Sequence, residues 1–174
     1  FEKNNGRITT VKDYLRLSDN YYHSNLLLIG SYSRQSLQDV LMKHFANKLW
    51  NISRFVITNV STENTYGNGV ERIERITTIS TADQQIVGQL KSTTEEVTRH
   101  LEGFRFNEAA QTIYQFIWHE FADKYIEASK IQMKDETLVK NTKLLLLHCL
   151  KQSLKLLPPF MPFITEYIWS LLQT

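Results

Sequence analysis

The sequence predicts an all-α protein, an antiparallel bundle of four to five helices. Two observations support this prediction. The apolar residues from Leu37 to Val60 recur at steps of three and four, which is the spacing of one face of an α-helix. Helix-starting and helix-ending signals then divide the rest of the chain into helix-length pieces with mostly short connections, as expected for an antiparallel bundle.

The first three helices follow in order. The apolar steps predict one long helix from Leu37 to Val60. A second helix is predicted to begin at Thr81-Ala82-Asp83-Gln84, which has the form of a capping box, and to end at Gly103. Asn107 is the predicted N-cap of a third helix. Because apolar residues cover nearly the whole circumference of this third helix, we expect it at the centre of the bundle.

A leucine-rich fourth helix is predicted from about Asp135 to Leu157, where Pro158-Pro159 ends it because proline lacks an amide donor. Pro162 then fits the first turn of a last helix that reaches Leu172. Residues 61–80 break the helical pattern with Ser, Asn and Gly and are predicted to be a loop insertion. The predicted domains are therefore a helical bundle over residues 37–174 and a separate short segment over residues 1–36.

The composition is typical of a globular domain. Of the 174 residues, 42% are hydrophobic and 22% are charged, and the formal net charge is +2. The single cysteine, Cys149, excludes an intrachain disulfide and favours the cytoplasm. Apolar runs such as Leu144–Leu147 are far too short to span a membrane. Because the chain starts at Phe1 without a signal segment, we expect a soluble, cytoplasmic piece of a longer protein with no membrane contact.

Recognisable catalytic motifs are missing from the chain. It contains no phosphate-binding loop of the Gly-x-x-x-x-Gly-Lys form, no Gly-x-Gly-x-x-Gly turn and no Gly-x-Ser-x-Gly elbow. The five histidines show no spacing of a zinc site. We therefore predict no catalytic residue, no metal ligand and no cofactor within this segment.

A polar face of the first long helix carries the residue types that bind RNA. Along it, Lys43, Asn47, Trp50 and Arg54 step by four, three and four, and Asn51 lies beside them. Lysine and arginine bind phosphates, while aromatic, guanidinium and amide groups stack on unpaired bases or read their edges. These five residues are the candidate RNA-binding site. The alternative is a solvated helix face on which Trp50 packs against a neighbouring helix.

Acidic residues on the third helix are expected to need positively charged partners. Glu120, Asp123 and Glu127 lie on a helix predicted to be mostly buried, and a buried charge without a partner is costly. Arg54 and Arg105 are the candidate partners. We therefore expect a charge network that locks the bundle together.

Three stretches of the chain carry a family resemblance. They are Phe45–Val56, which reads FANKLWNISRFV, Phe106–Lys130, which begins FNEAA, and Leu156–Trp169, which contains PPFMPF. In order and spacing they resemble the opening, central and closing helices of the anticodon-binding domain of class I aminoacyl-tRNA synthetases of the valine type. The resemblance covers residues 37–174.

This resemblance implies the tRNA-binding segment of a valine–tRNA ligase, which holds the anticodon stem and loop of a valine-accepting tRNA. The parent enzyme would charge tRNA with valine in protein synthesis, using ATP and Mg²⁺, and would be a cytoplasmic monomer. Its catalytic domain would lie elsewhere in the same chain, so the segment alone would not be catalytic. The implied tRNA-binding residues are the five on the first long helix.

Residues 1–36 depart from the family pattern. The family's Lys-Met-Ser-Lys-Ser signature loop corresponds to Phe1–Arg7, which matches only at Lys3 and Gly6. A second family segment corresponds to Tyr22–Leu27 and lacks its Asp and Arg. Residues 1–36 would thus be the tail of the catalytic domain with a degenerate signature loop. This departure keeps a second hypothesis open, a helical protein-interaction or scaffold module derived from a degenerate synthetase.

Overall fold

A computed structural model describes residues 35–60 and 80–173, with side chains from residue 43 onward. The predicted N-terminal segment 1–36, except for Gln35 and Ser36, and the predicted loop insertion 61–80, except for Ser80, lie outside the described residues. All regular secondary structure in the described ranges is helical. The predicted all-α fold class is therefore confirmed.

The described residues form five helices, one of which consists of three consecutive elements. Their elements are α1 (Gln35–Val60), α2 (Thr81–Glu102), α3 (Phe106–Gln115), a π-helical segment (Phe116–Tyr125), α4 (Ile126–Gln132), α5 (Val139–Leu156) and α6 (Pro162–Leu171). The π-helical segment joins α3 and α4 without a break, so these three elements form one long helix. At its end the amide of Ile126 donates to the carbonyl of Phe121, five residues earlier, as in a π-helix. The sequence pattern did not predict this wider turn.

The described residues up to Trp50 and those from Asn51 onward belong to two compact units, so the boundary falls within α1. The apolar stripe predicted for this helix is buried wherever its side chains are described. The buried residues of the stripe are Phe45, Leu49, Ile52, Val56 and Val60. Burial of one stripe leaves the remaining faces of α1 available for polar side chains.

A capping box begins α2, one residue earlier than predicted. The N-cap is Ser80, whose hydroxyl accepts from the Asp83 amide at 3.1 Å, while the Ser80 amide donates to the Asp83 carboxylate at 3.1 Å. Thr81 is exposed within the first turn. The motif was recognised correctly, but its register was wrong by one residue because Ser80 and Asp83 have the same three-residue spacing as the predicted pair, Thr81 and Gln84. Burial of Asp83 fixes the register.

The C-terminal end of α2 is a Schellman turn. The amide of Phe104 donates to the Leu101 carbonyl at 3.0 Å, and the amide of Arg105 donates to the His100 carbonyl at 2.8 Å. Helix α2 ends before Gly103, as predicted, but Gly103 has an ordinary φ of −85°. The left-handed position of the turn is occupied by Phe104, with φ of 56°.

Two further helix starts differ from the prediction. The N-cap of α3 is Arg105, and Asn107 lies in the first turn, because the Schellman turn leads directly into the next helix. Helix α5 begins at Val139 rather than near Asp135. The Asp135 carboxylate accepts from the Thr137 amide at 2.8 Å and from the Thr137 hydroxyl at 2.7 Å, which holds these residues in a turn.

Helix α2 runs antiparallel to the long helix of residues 106–132. A three-residue turn joins the end of α2 to the start of α3, and at the opposite end Ser80 accepts a hydrogen bond from Gln132. Thr142 in α5 also donates to Gln132, which brings the start of α5 to the same end. The interior between these helices is filled by fully buried side chains, among them Ile113, Ile117, Phe121, Leu146 and Leu150. The last helix begins with Pro162 in its first turn, as predicted.

Candidate nucleic-acid interface

The first three predicted RNA-binding residues lie in the part of α1 that ends at Trp50. Lys43 and Asn47 are exposed, whereas Trp50 is half-buried. Lys43 and Trp50 each make further contacts within the chain. The indole of Trp50 is therefore partly engaged in packing, and the amide of Asn47 is the more accessible group.

The other two predicted residues lie in the part of α1 that begins at Asn51. Asn51 and Arg54 are both exposed, and they are followed one turn later by exposed Thr58. Within residues 43–60 and 80–173, Arg54 has no carboxylate close enough for an ion pair. Its guanidinium can therefore bind a phosphate or a base without first breaking a described ion pair.

The structure adds two residues, Phe55 and Lys130, to the candidate RNA-binding residues. Spacing along one helix could not reveal that they lie together. The Nζ atom of Lys130, in α4, lies 5.9 Å from the centroid of the Phe55 ring, in a cation–π arrangement. Phe55 is half-buried and directly follows Arg54 in α1. Lys130 also pairs with Glu127 at 2.6 Å. Asn51, Arg54, Phe55 and Lys130 are called the α1–α4 surface below.

Arg54 and Arg105 do not pair with the acidic residues of the long helix, contrary to the prediction. Glu120 pairs with Lys124 at 2.7 Å, Asp123 with His119 at 3.5 Å and Glu127 with Lys130 at 2.6 Å. These acids lie on the accessible side of the helix, where partners three or four residues away are the easiest to reach. Such exposed pairs stabilise a fold only slightly, so they do not lock the bundle together.

A groove between α2 and α3, with a volume of about 520 Å³, has the opposite electrostatic character. Glu96, Glu108 and Glu120 line it, and the described lining residues include no lysine or arginine. Carboxylates repel a phosphate backbone, so this groove is a poor RNA site despite its size. Of these two surfaces, the α1–α4 surface is therefore the better candidate for binding RNA.

A comparison with known protein families decides what kind of domain this is. Residues 83–174, more than half of the chain, match the family described as the anticodon-binding domain of tRNA ligase. The chain belongs to this family. The matched region begins at Asp83, in the first turn of α2, and continues through α6, so the polar face of α1 precedes it.

Relatives of this anticodon-binding domain occur among curated valine–tRNA ligases. The chain is 44% identical over 129 residues to the valine–tRNA ligase of Oceanobacillus iheyensis, a match that covers 73% of the chain. It is 41% identical over 129 residues to that of Bacillus cereus and 41% identical over 133 residues to that of Legionella pneumophila. Each match spans 14% of the relative's length. The recognised family is thus confirmed.

Two further properties of the described part concern other kinds of site. No helix in it has the length and apolar character to cross a membrane. Nor do three metal-ligating side chains come together in the described ranges.

Proposed function

We propose that this chain binds the anticodon stem and loop of tRNA, as the tRNA-binding segment of a valine–tRNA ligase. Membership of the anticodon-binding family supports tRNA as the ligand, and the curated valine–tRNA ligases support valine as the amino acid. The observation that carries the proposal is the exposed pair Asn51 and Arg54, beside the Lys130–Phe55 contact, on a rigid helical support.

The chemistry of the α1–α4 surface suits an RNA loop. The Asn51 amide has both a donor and an acceptor for the edge of an unpaired base, and the Arg54 guanidinium can stack on a base or bind two acceptors at once. Lys130 supplies a point charge for a phosphate. Lys43, Asn47 and Trp50, the other three residues of the proposed site, offer the same types of group on the part of α1 that ends at Trp50.

The proposal includes a parent enzyme of which this chain is one part. That enzyme would attach valine to tRNA with ATP and Mg²⁺ in the cytoplasm, as a monomer, through a catalytic domain elsewhere in the same polypeptide. Residues 37–174 would be the anticodon-binding bundle and residues 1–36 the end of the catalytic domain. The bundle itself would supply binding and orientation of tRNA, with no catalytic residue.

Fluorescence anisotropy with labelled RNAs tests the proposal on the 174-residue chain. Three RNAs are compared at several salt concentrations: a valine-accepting tRNA, the same tRNA with its three anticodon bases replaced, and a duplex of equal charge. We expect the first to bind most tightly, and all affinities to fall with salt because phosphate contacts release counterions. Equal affinity for all three RNAs would rule out anticodon recognition.

A further inference from the structure

The groove between α2 and α3, called the α2–α3 groove below, has a lining that suits a cationic ligand. Its volume is about 520 Å³, and its described wall consists of three glutamates, three glutamines, two threonines, His100 and Phe116. Carboxylates, amide oxygens and hydroxyls all accept hydrogen bonds from an ammonium group. The groove that disfavours a phosphate backbone therefore favours a ligand with positive charges and N–H donors.

The three glutamates are spread along the α2–α3 groove and not gathered at one point. Glu108 and Glu120 lie on the same continuous helix, whose α-helical part alone separates them by at least about 10 Å at 1.5 Å per residue. Glu96 lies on α2, which runs antiparallel to this helix, and the turn at residues 103–105 places it level with about residue 112. One ion cannot touch all three carboxylates, whereas an extended ligand with several separated charges can.

The carboxylates of the groove are available to such a ligand. Among the described residues, Glu108 forms no ion pair. Glu120 pairs with the exposed Lys124 at 2.7 Å, and Glu96 lies 3.9 Å from the exposed Arg99. Exposed pairs of this kind contribute little to stability, so a ligand can replace them at low cost.

His100 supplies an independent observation that points to a donor ligand. Its side chain lines the groove and the residue is only 7% exposed. Nε2 lies 3.4 Å from the Glu96 carboxylate, so in the neutral ring Nε2 carries the proton and Nδ1 is an acceptor. This Nδ1 atom is buried and has no hydrogen-bond partner among the described residues. Buried polar atoms are nearly always hydrogen-bonded, and an N–H group of a cationic ligand would complete this one.

We propose that the α2–α3 groove binds a linear polyamine. Its amines, like that of lysine, are charged at neutral pH, and the methylene segments between them can lie against the Phe116 ring in the groove wall. A polyamine carries its charges in a row along a single chain, which matches the row of glutamates. A lysine-rich peptide carries them on side chains that branch from a wider backbone. The inference is independent of the proposed function, because it requires no RNA.

Calorimetric titration of the 174-residue chain with spermidine, a linear triamine, tests this inference. We expect one saturable site whose affinity falls as the salt concentration rises. Glu108→Gln should weaken the binding at least about fivefold, because it removes a charge-assisted contact. The matched control, Glu95→Gln, removes the same charge from an exposed residue of α2 outside the groove and should leave the affinity within about twofold. Absence of saturable binding, or equal losses in the two variants, would overturn the inference.

Nitrogen NMR of the histidine side chains shows whether His100 takes part. As spermidine is added, the Nδ1 resonance of His100 should shift because the atom gains a hydrogen bond, with the same half-saturation as in the calorimetric titration. The resonances of His119, which lies beside Asp123 outside the groove, should stay in place. An unmoved His100 resonance would contradict the proposed site.

Trilysine is the second ligand in these titrations. It has the same kind of charge as spermidine on a peptide backbone, and we expect it to bind more weakly. Trilysine binding as tight as that of spermidine would overturn the assignment of the groove to a polyamine. Binding of tRNA, measured without any polyamine, tests the proposed function separately, so failure of either proposal leaves the other intact.

Discussion

The Tyr125 hydroxyl donates a 2.8 Å hydrogen bond to Oδ1 of Asp83, and both residues are buried. The other carboxylate oxygen of Asp83 accepts from the amide of Ser80, and the Ser80 hydroxyl accepts in turn from the Gln132 side chain. A helix cap at the surface of α2 is thereby joined to the interior of the long helix. This polar connection fixes how α2 lies against the helix that carries Lys130.

Tyr125→Phe should destabilise the fold. The substitution keeps the ring in the core but removes one donor from a buried carboxylate, which costs about 1.5–3 kcal/mol for a hydrogen bond to a charged group. The unfolding free energy measured by urea denaturation should fall by this amount. The matched control is Thr137→Val, which removes an exposed hydroxyl–carboxylate bond to Asp135 and should change the unfolding free energy by less than about 0.5 kcal/mol. Equal effects of the two substitutions would contradict this account.

The same pair predicts a loss of stability in alkali. Burial, and in addition the charge and hydrogen bond of Asp83, raise the pKa of Tyr125 well above its ordinary value of 10.0. The unfolded chain therefore releases this proton near pH 10 while the folded chain retains it. The stabilisation is complete below pH 10 and is lost as the pH rises further, by about 1.4 kcal/mol per pH unit.

The Tyr125→Phe chain isolates this contribution, because all other tyrosines titrate equally in both proteins. Unfolding free energies of the two chains, measured from pH 8 upward, should differ by a constant amount until about pH 10 and then converge. Curves that stay parallel above pH 10 would show that Tyr125 ionises as easily in the folded chain as in the unfolded one.

Features that depend on neighbours along the chain were predicted well, and those that depend on distant neighbours were not. The apolar stripe of α1 and the proline start of α6 follow from local spacing and backbone chemistry, and both were correct wherever the structure describes the side chains. The exact cap of α2 was missed because the burial of Asp83 is decided by Tyr125, 42 residues away. Local rules place the left-handed residue of the α2–α3 turn at Gly103, whereas the packed helices place it at Phe104.

The candidate RNA site likewise combines features that follow from spacing within one helix and features that depend on packing between helices. The exposure of Asn51 and Arg54 agrees with the helical period of α1, which separates these residues from the buried stripe. The approach of Lys130 to Phe55 depends on how two distant helices pack, which no spacing within either helix encodes. The predicted partners of the acidic residues were wrong for a related reason. Exposed carboxylates pair with lysines three or four residues away on their own helix rather than with a distant arginine.

Arg54→Ala is predicted to weaken binding of the valine-accepting tRNA by about 1–3 kcal/mol if the guanidinium reads a base. The loss of affinity caused by Arg54→Ala should be smaller when the anticodon bases of the RNA are replaced. The contact with those bases is then absent in the unaltered chain as well as in the variant. Arg99→Ala is the control, since Arg99 is also exposed but lies in α2, next to Glu96. Titrations of both variants by fluorescence anisotropy, with melting curves to verify folding, give the comparison. A drop in melting temperature with unchanged affinity per folded molecule would make Arg54 a structural residue.

Lys130→Ala should instead weaken binding of all RNAs alike, because a lysine on a phosphate carries little sequence information. Its signature is the salt dependence: a plot of the logarithm of affinity against that of salt concentration should lose about 0.7 of its slope, as for one phosphate contact to a single strand. Lys124→Ala is a close control, since Lys124 is also exposed, lies on the same long helix and pairs with a glutamate. If both substitutions lowered the slope equally, the effect would come from the loss of one positive charge anywhere on the chain and not from a specific contact of Lys130. A change confined to Lys130 requires a phosphate close to the Phe55 ring, which would place the RNA backbone across α1 and α4.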